Sequence, residues 1–305
     1  MTAPRVAIGP DHSQLAADAV RAAGGVPVAA DSAADALVWL APQDTAGLRA
    51  AVGTTAARWV QLSSAGIETM AAAGLLDDRR VWTSAKDAFA EQVAELALAL
   101  ALAGLRQLPT YLVARSWGEL SGDSLFDEPV TILGGGRITA SLLQLLAPFR
   151  VRATVVRRGQ QPVPGAARTL PASGLADALP DAKVVFLALA LTPDTERIIG
   201  AEQLAAMRPD GWLVNVARGR HVDTGALVAA LANGIIGGAA LDVTDPEPLP
   251  DEHPLWAQQR CIITPHTATP PELADRALAR LISDNVTRFA AGRPLLSVVD
   301  PVAGY

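Results

Sequence analysis

Cysteine is nearly absent. The 305-residue chain has one, Cys261, so no internal disulfide can form, and a reducing, cytoplasmic setting is expected. A basic field is missing too: Lys and Arg number 25 against 31 Asp and Glu, and a net charge of −6 gives no electrostatic footprint for nucleic acid. No apolar run is long enough for a membrane span. The best candidate, residues 93–105, covers 13 positions, includes Glu95 and fits a buried helix. The amino terminus has no basic start followed by an apolar run and a small-residue cleavage site, so no secretory leader is expected. His and Cys residues do not cluster at metal-ligand spacing, so no metal is expected; repeats and long low-complexity tracts are absent as well. What remains is a chain of which half is hydrophobic, long enough for two domains with ample core.

The informative stretch is 130–158. A β-favouring run, Val130-Thr131-Ile132-Leu133, leads into Gly134-Gly135-Gly136. A helical pattern follows, with Ile138, Leu142, Leu145, Leu146 and Phe149 at helical spacing and Pro148 marking its end. Strand, glycine turn and helix start are the parts of a dinucleotide site. Gly134 allows the tight turn, and Gly136 lets the backbone approach a pyrophosphate at the positive end of the helix. Thr139 stands where G-x-G-x-x-G has its third glycine, so a slight shift of helix–strand spacing is expected. A second strand, 153–156, completes the βαβ unit. Next come Arg157, 21 positions after Gly136, and Arg158, rather than the acid that bonds the ribose 2′-hydroxyl of NAD. Two guanidiniums suit a 2′-phosphate, so NADP is the expected cofactor and NAD the second choice. The plain alternative is two solvated arginines on a surface loop.

Short strands alternate with helical stretches on both sides of this unit. Strands are expected at 5–9, 26–29, 36–40, 59–62 and 81–83, and again at 183–189, 211–216, 236–243 and 261–264; helices are expected at 13–23 and 224–233. Such alternation implies parallel sheets covered on both faces; the fold expected is α/β, with two Rossmann-like parallel-sheet domains, the N-terminal one flavodoxin-like. A helical stretch of about 25 residues from Ala90, and another at 272–291, are expected to cross between the halves. On this reading 1–98, completed by 275–305, is the substrate domain and 99–274 the dinucleotide-binding domain.

Four strand ends carry the polar groups of interest. After the fourth strand, Ser63-Ser64-Ala65-Gly66 would expose backbone N–H groups to an anion, although an ordinary βα loop reads equally well. In Asn215-Val216-Ala217-Arg218-Gly219 an arginine leaves a buried strand at a glycine turn, and its planar fork suits a carboxylate and carbonyl pair. In Asp245-Pro246-Glu247-Pro248 two prolines stiffen the loop that holds Glu247. In Thr264-Pro265-His266 a histidine stands just past the last strand, able to move a proton near neutral pH. Each alone also reads as a surface turn, an exposed loop or a structural histidine. Their order downstream of a dinucleotide turn makes them stronger together.

With these segments in hand, the chain resembles the D-isomer-specific 2-hydroxyacid dehydrogenases, which include glyoxylate/hydroxypyruvate reductases. The matching segments are SSAGIE at Ser63, QVAELALAL at Gln92, LGGGRI at Leu133, LTPDT at Leu191, NVARG at Asn215, ALDVTDPEP at Ala240 and ITPH at Ile263. Arginine to glutamate is 29 residues and glutamate to histidine 19, as the resemblance requires. It implies reduction of a small 2-oxo acid to a D-2-hydroxy acid. Arg218 would bind and polarise the substrate, His266 would be the acid/base with Glu247 as its partner, and the Ala65 and Gly66 amides would hold the carboxylate. Asp242 would contact the nicotinamide carboxamide; Arg137, Ile138, Thr192 and Ala217 complete the expected cofactor set with Gly134, Gly136, Arg157 and Arg158. A homodimer through the cofactor domains is implied, with no membrane partner. Arg220 and His221 receive no role, and Lys86 is left open. The alternative on the same fold is a dinucleotide-sensing scaffold of the corepressor type.

Overall fold

Short runs of Val, Ile, Leu and Ala form two parallel sheets in the computed structural model, which describes residues 3–300. The chain divides into two units. One runs to Phe89 and resumes at Thr269; the other is Ala90–Ala268. Among the described residues, no helix is long and apolar enough to cross a membrane.

The first unit holds β1 (Arg5–Gly9), β2 (Val26–Ala29), β3 (Ala36–Trp39), β4 (Trp59–Leu62) and β5 (Val81–Thr83). Their order is β2-β1-β3-β4-β5, all neighbours parallel, which is the flavodoxin order. Ser13 starts the helix Gln14–Ala22 by accepting from the Ala16 N–H, and Asp44 does the same for Thr45–Thr54 at the Gly47 N–H. The long helix Pro271–Ala290 buries Leu278, Leu281, Ile282 and Val286 with Val6, Ile8 and Val38 of the sheet. Burying each such side chain contributes about 1.5–3 kcal/mol.

The second unit holds β6 (Pro129–Leu133), β7 (Arg152–Arg157), β8 (Arg168–Pro171), β9 (Val184–Leu187), β10 (Trp212–Asn215), β11 (Gly238–Leu241) and β12 (Cys261–Ile263). The order is β12-β11-β10-β9-β6-β7-β8, again all parallel. Both faces are covered. On one, the helices Ala90–Leu105 and Arg137–Leu146 pack Ala97, Ala101, Leu142 and Leu146 against Val130, Ile132 and Val214. On the other, Leu204, Leu227 and Leu231 pack against Val185, Leu187 and Leu213.

The amino-terminal edge of this sheet is held by charge. Lys183, almost wholly buried, donates its ammonium protons to Asp123 and Asp210, while Arg208 reaches Asp210 at 2.7 Å and Glu128 at 3.0 Å. The Arg208 guanidinium, with Lys183 beside it, holds the Asp210 carboxyl well below the usual carboxylate range; hydrogen bonding to Lys183 lowers Asp123. A cavity of about 600 Å³ lined by Glu128, Arg152, Arg168, Asp181 and Arg208 opens at this same edge.

Several elements depart from expectation, three of them for a plain physical reason. The helical stretch from Ala90 is not continuous: it ends at Leu105, Gln107 turns into the left-handed region at φ 55, and a separate helix, Leu108–Val113, begins. Pro109 has no N–H to continue a ladder and sits instead in the first turn of the new helix. The edge strand β8 went unread because Arg168-Thr169-Leu170-Pro171 is short, half polar and ends in proline. The strand expected at 236–243 shrinks to Gly238–Leu241, since Asp242 already serves the turn beyond it.

Candidate active site

Register brings the polar groups of the second unit to one edge. Val156, Leu133, Leu187, Asn215, Leu241 and Ile263 are successive partners across six strands, and the chain leaves all six within a few residues. These are carboxyl ends, and the order reverses between β6 and β9. Open α/β sheets bind ligands at such a switch point.

At its centre is the glycine turn. Gly134 has φ 109, its N–H donates to the Val156 carbonyl at 2.8 Å, and a Cβ there would lie 2.1 Å from the Ala188 oxygen. Glycine alone fits. The helix Arg137–Leu146 then starts at Gly136 without a side-chain cap and with no acid in its first turn, so its leading N–H groups favour an anion. Space above Gly136 is open: a Cβ would meet nothing within 4 Å. Thr139 is fully buried and donates its hydroxyl to the Gly134 carbonyl at 2.9 Å, so it locks the turn to the helix in place of the third glycine. Arg137 is exposed and Ile138 half-buried in the first helical turn. The Arg157 side chain lies over Gly135, its Cδ 2.9 Å from where a Cβ would be, and Arg158 is exposed beside it. The turn therefore fits a dinucleotide pyrophosphate, with a guanidinium at the end of β7.

Arg218 leaves β10 half-buried and extended, at φ −142 and ψ 144. Asn215, buried just before it, holds the bend from both sides: its Nδ2 donates to the Arg218 carbonyl at 2.9 Å and its Oδ1 accepts from the buried Ala217 N–H at 3.0 Å. Gly219 presses on the loop after β11, where a Cβ would be 1.9 Å from the Thr244 carbonyl oxygen. From that loop the Thr244 N–H donates to Glu247 Oε2 at 3.3 Å, and Glu247 Oε1 lies 2.6 Å from His266 Nδ1. A carboxylate at Nδ1 assigns the proton there and leaves Nε2 for transfer. Both side chains are about half exposed, at 51% for His266 and 42% for Glu247.

His266 itself sits in the left-handed region, at φ 50. Asp242 maintains that turn. Its carbonyl accepts the His266 N–H at 2.8 Å; its carboxylate, 1% exposed, accepts from the Thr264 hydroxyl at 2.5 Å, the Thr267 N–H at 2.8 Å and the Ala268 N–H at 3.1 Å. Sequence reasoning missed this anchoring role, and the roles of Asn215 and Thr264; an acid one residue past an apolar strand was the only sign. Cys261, on β12, has its thiol pushed up to about 12 by burial and brings no chemistry here. Thr192 lies half-buried in the loop after β9. Ala65 and Gly66 belong to the first unit, past the carboxyl end of β4, where Ser64 Oγ donates to the Gly66 carbonyl at 2.7 Å.

A Rossmann-ordered sheet with an uncapped glycine turn, followed at neighbouring strand ends by Arg, Glu and His, defines a nucleotide-dependent oxidoreductase of the α/β class. Comparison with known proteins narrows this. Residues 96–268 match the family described as D-isomer specific 2-hydroxyacid dehydrogenase, NAD binding domain. Glyoxylate/hydroxypyruvate reductase A of Photorhabdus laumondii is 32% identical over 219 residues, covering 70% of this chain and 69% of that protein. A D-isomer specific 2-hydroxyacid dehydrogenase from Xanthobacter autotrophicus, solved with NADPH and MES, has a TM-score of 0.84 at 29% identity, covering 99% of this chain and 100% of that one. The NADPH-dependent glyoxylate/hydroxypyruvate reductase of Sinorhizobium meliloti, solved with NADP and sulfate, has a TM-score of 0.81 at 25% identity, covering 99% of each. The chain belongs to the D-isomer specific 2-hydroxyacid dehydrogenase family, and it is an NAD(P)-dependent oxidoreductase.

Proposed function

We propose that this protein uses NADPH to reduce a small 2-oxo acid of the glyoxylate and hydroxypyruvate class to the D-2-hydroxy acid. The observation that carries the reading is the 2.6 Å contact of Glu247 with His266, on the loop against which the Arg218 turn is pressed. Bound at the glycine turn, NADPH supplies the hydride that C2 accepts. Arg218 offers its fork to the carboxylate and C2 carbonyl, polarising the carbonyl as charge builds on oxygen. The Ala65 and Gly66 amides are further carboxylate donors. His266 delivers a proton from Nε2 to the forming alkoxide, while Glu247 keeps the other nitrogen protonated and the ring oriented. Gly134, Gly136, Arg137, Ile138, Thr192 and Ala217 hold the cofactor, Arg157 with Arg158 binds its 2′-phosphate, and Asp242, its buried carboxylate taken by the His266 turn, acts on the site through that turn. The first unit serves as substrate domain and the second as dinucleotide domain. The paired His and Glu, and the reductase relatives, favour catalysis over a dinucleotide-sensing scaffold.

The reading includes a homodimer through the dinucleotide unit. It is supported by the exposure, between 69% and 96%, of Leu112, Val113, Trp117 and Leu120, large apolar side chains close together in the chain, since exposed apolar surface marks association sites. A single, half-buried cysteine with its thiol pushed up by burial supports a cytoplasmic setting. The test is chiral analysis of the product formed from hydroxypyruvate and NADPH. D-glycerate is expected; L-glycerate, or no product from any small 2-oxo acid, would contradict the proposal.

A further inference from the structure

The turn that carries Arg218 continues into two residues with no role in the chemistry above. His221 closes the short helical turn Gly219–His221 and is wholly buried. Its Nδ1 lies 3.0 Å from the Thr195 carbonyl oxygen and its Nε2 3.2 Å from the Leu189 carbonyl oxygen. Those carbonyls bracket the loop after β9 that carries Thr192. Within the loop, the Thr195 hydroxyl donates to the Ala190 carbonyl and accepts from the Thr192 N–H, both at 2.8 Å. From outside, the same turn grips the loop again. The Arg197 N–H donates to the Arg220 carbonyl at 2.8 Å, the Ile199 N–H to the His221 carbonyl at 3.0 Å, and Arg220 pairs with Glu196 at 2.7 Å. At its other end the turn is fixed by the close approach of Gly219 to Thr244 and by the His221 N–H, which donates to the Arg218 carbonyl at 3.2 Å. A ring removed from water, wedged between two carbonyls and donating an N–H to at least one of them, spaces the two loops, because a shift of the loop that accepts would strand a buried donor.

From this geometry we infer that His221 is a positioning residue that couples the cofactor loop at Thr192 to the substrate arginine, Arg218. Cofactor binding then strengthens binding of the 2-oxo acid, and the acid strengthens cofactor binding by the same factor. The inference rests on the reading of Thr192 as a cofactor residue and of Arg218 as the substrate residue.

The test measures binding rather than turnover. Oxamate has a carboxylate beside an amide carbonyl, so it mimics a 2-oxo acid. Its dissociation constant is determined by calorimetry with and without saturating NADPH, and that of NADPH with and without oxamate. In the wild type, NADPH is expected to tighten oxamate about tenfold or more. His221→Leu removes both ring contacts and should bring the factor close to one. His221→Gln keeps a donor near Nε2 and His221→Asn one near Nδ1; each should retain part of the factor, and both remain informative if the leucine variant does not fold. A purely structural role would lower the active fraction and leave the factor unchanged, so an unchanged factor in the folded variants overturns the coupling alone. A wild type that binds neither NADPH nor oxamate would overturn the functional reading itself, and the inference with it.

Discussion

Asp242 spends its carboxylate on the turn that presents His266, and does so while buried. Three donors converge on it, so an amide in its place would set an NH2 against at least one of them. Asp242→Asn should therefore lose about 1–3 kcal/mol of stability and a larger share of kcat than of cofactor affinity, because the proton donor would wander. Urea unfolding and initial rates check both; a variant with wild-type stability and kcat would contradict the anchoring role. At this scale the sequence was legible in part. Arg218, Glu247 and His266 stood out because each follows an apolar strand in a fixed order, and the expected partnership of Glu247 with His266 appears as a 2.6 Å contact. The hydrogen bonds of Asn215, Asp242 and Thr264 could not be read, since they depend on which strand ends the register sets side by side.

Among elements, the proposed function has the glycine turn and the end of β7 decide the cofactor. Arg157 crosses Gly135 and Arg158 follows it, so Arg157→Asp with Arg158→Ala should lower the ratio of kcat/KM for NADPH to that for NADH by at least about tenfold, the loss of charge-assisted contacts to a phosphate. Steady-state rates with both cofactors read this directly, and an unchanged ratio would rule out the clamp. Most strands were legible because parallel strands buried on both faces read as short apolar runs; β1, β2, β4 and β5 fall where the pattern put them. What escaped has physical reasons. β8 lies at a sheet edge and lacks an apolar run, and the apolar residues Leu108, Leu112 and Val113 past Leu105 did not reveal that a new helix begins there with Pro109 in its first turn. Thr139 was read as a missing glycine, whereas its hydroxyl closes the turn.

Across the molecule, two features far from the chemistry make separate demands. Lys183 is a buried charge whose partners, Asp123 and Asp210, are half exposed. Losing both partners strands the ammonium, so Asp123→Asn with Asp210→Asn should cost about 3–5 kcal/mol. Lys183→Met leaves two carboxylates that water can reach and should cost much less; equal losses in urea unfolding would contradict this asymmetry. Both carboxyls stand below the usual range, so their stabilisation is complete above the ordinary Asp pKa of about 4 and fades as pH falls through the lowered folded values. The proposed dimer makes the second demand. Trp117→Ser with Leu120→Ser should give a monomer by light scattering, and a persisting dimer would move the interface elsewhere. The central claim is that His266, oriented by Glu247, moves the proton in a hydride transfer to a 2-oxo acid. The most direct measurement is the initial rate of NADPH loss with glyoxylate and with hydroxypyruvate, in the wild type and in His266→Ala, beside the NADPH dissociation constant of each. The account predicts a wild-type rate that falls about 10²–10⁴-fold in the variant while NADPH still binds; a variant that turns over as fast as the wild type would contradict it.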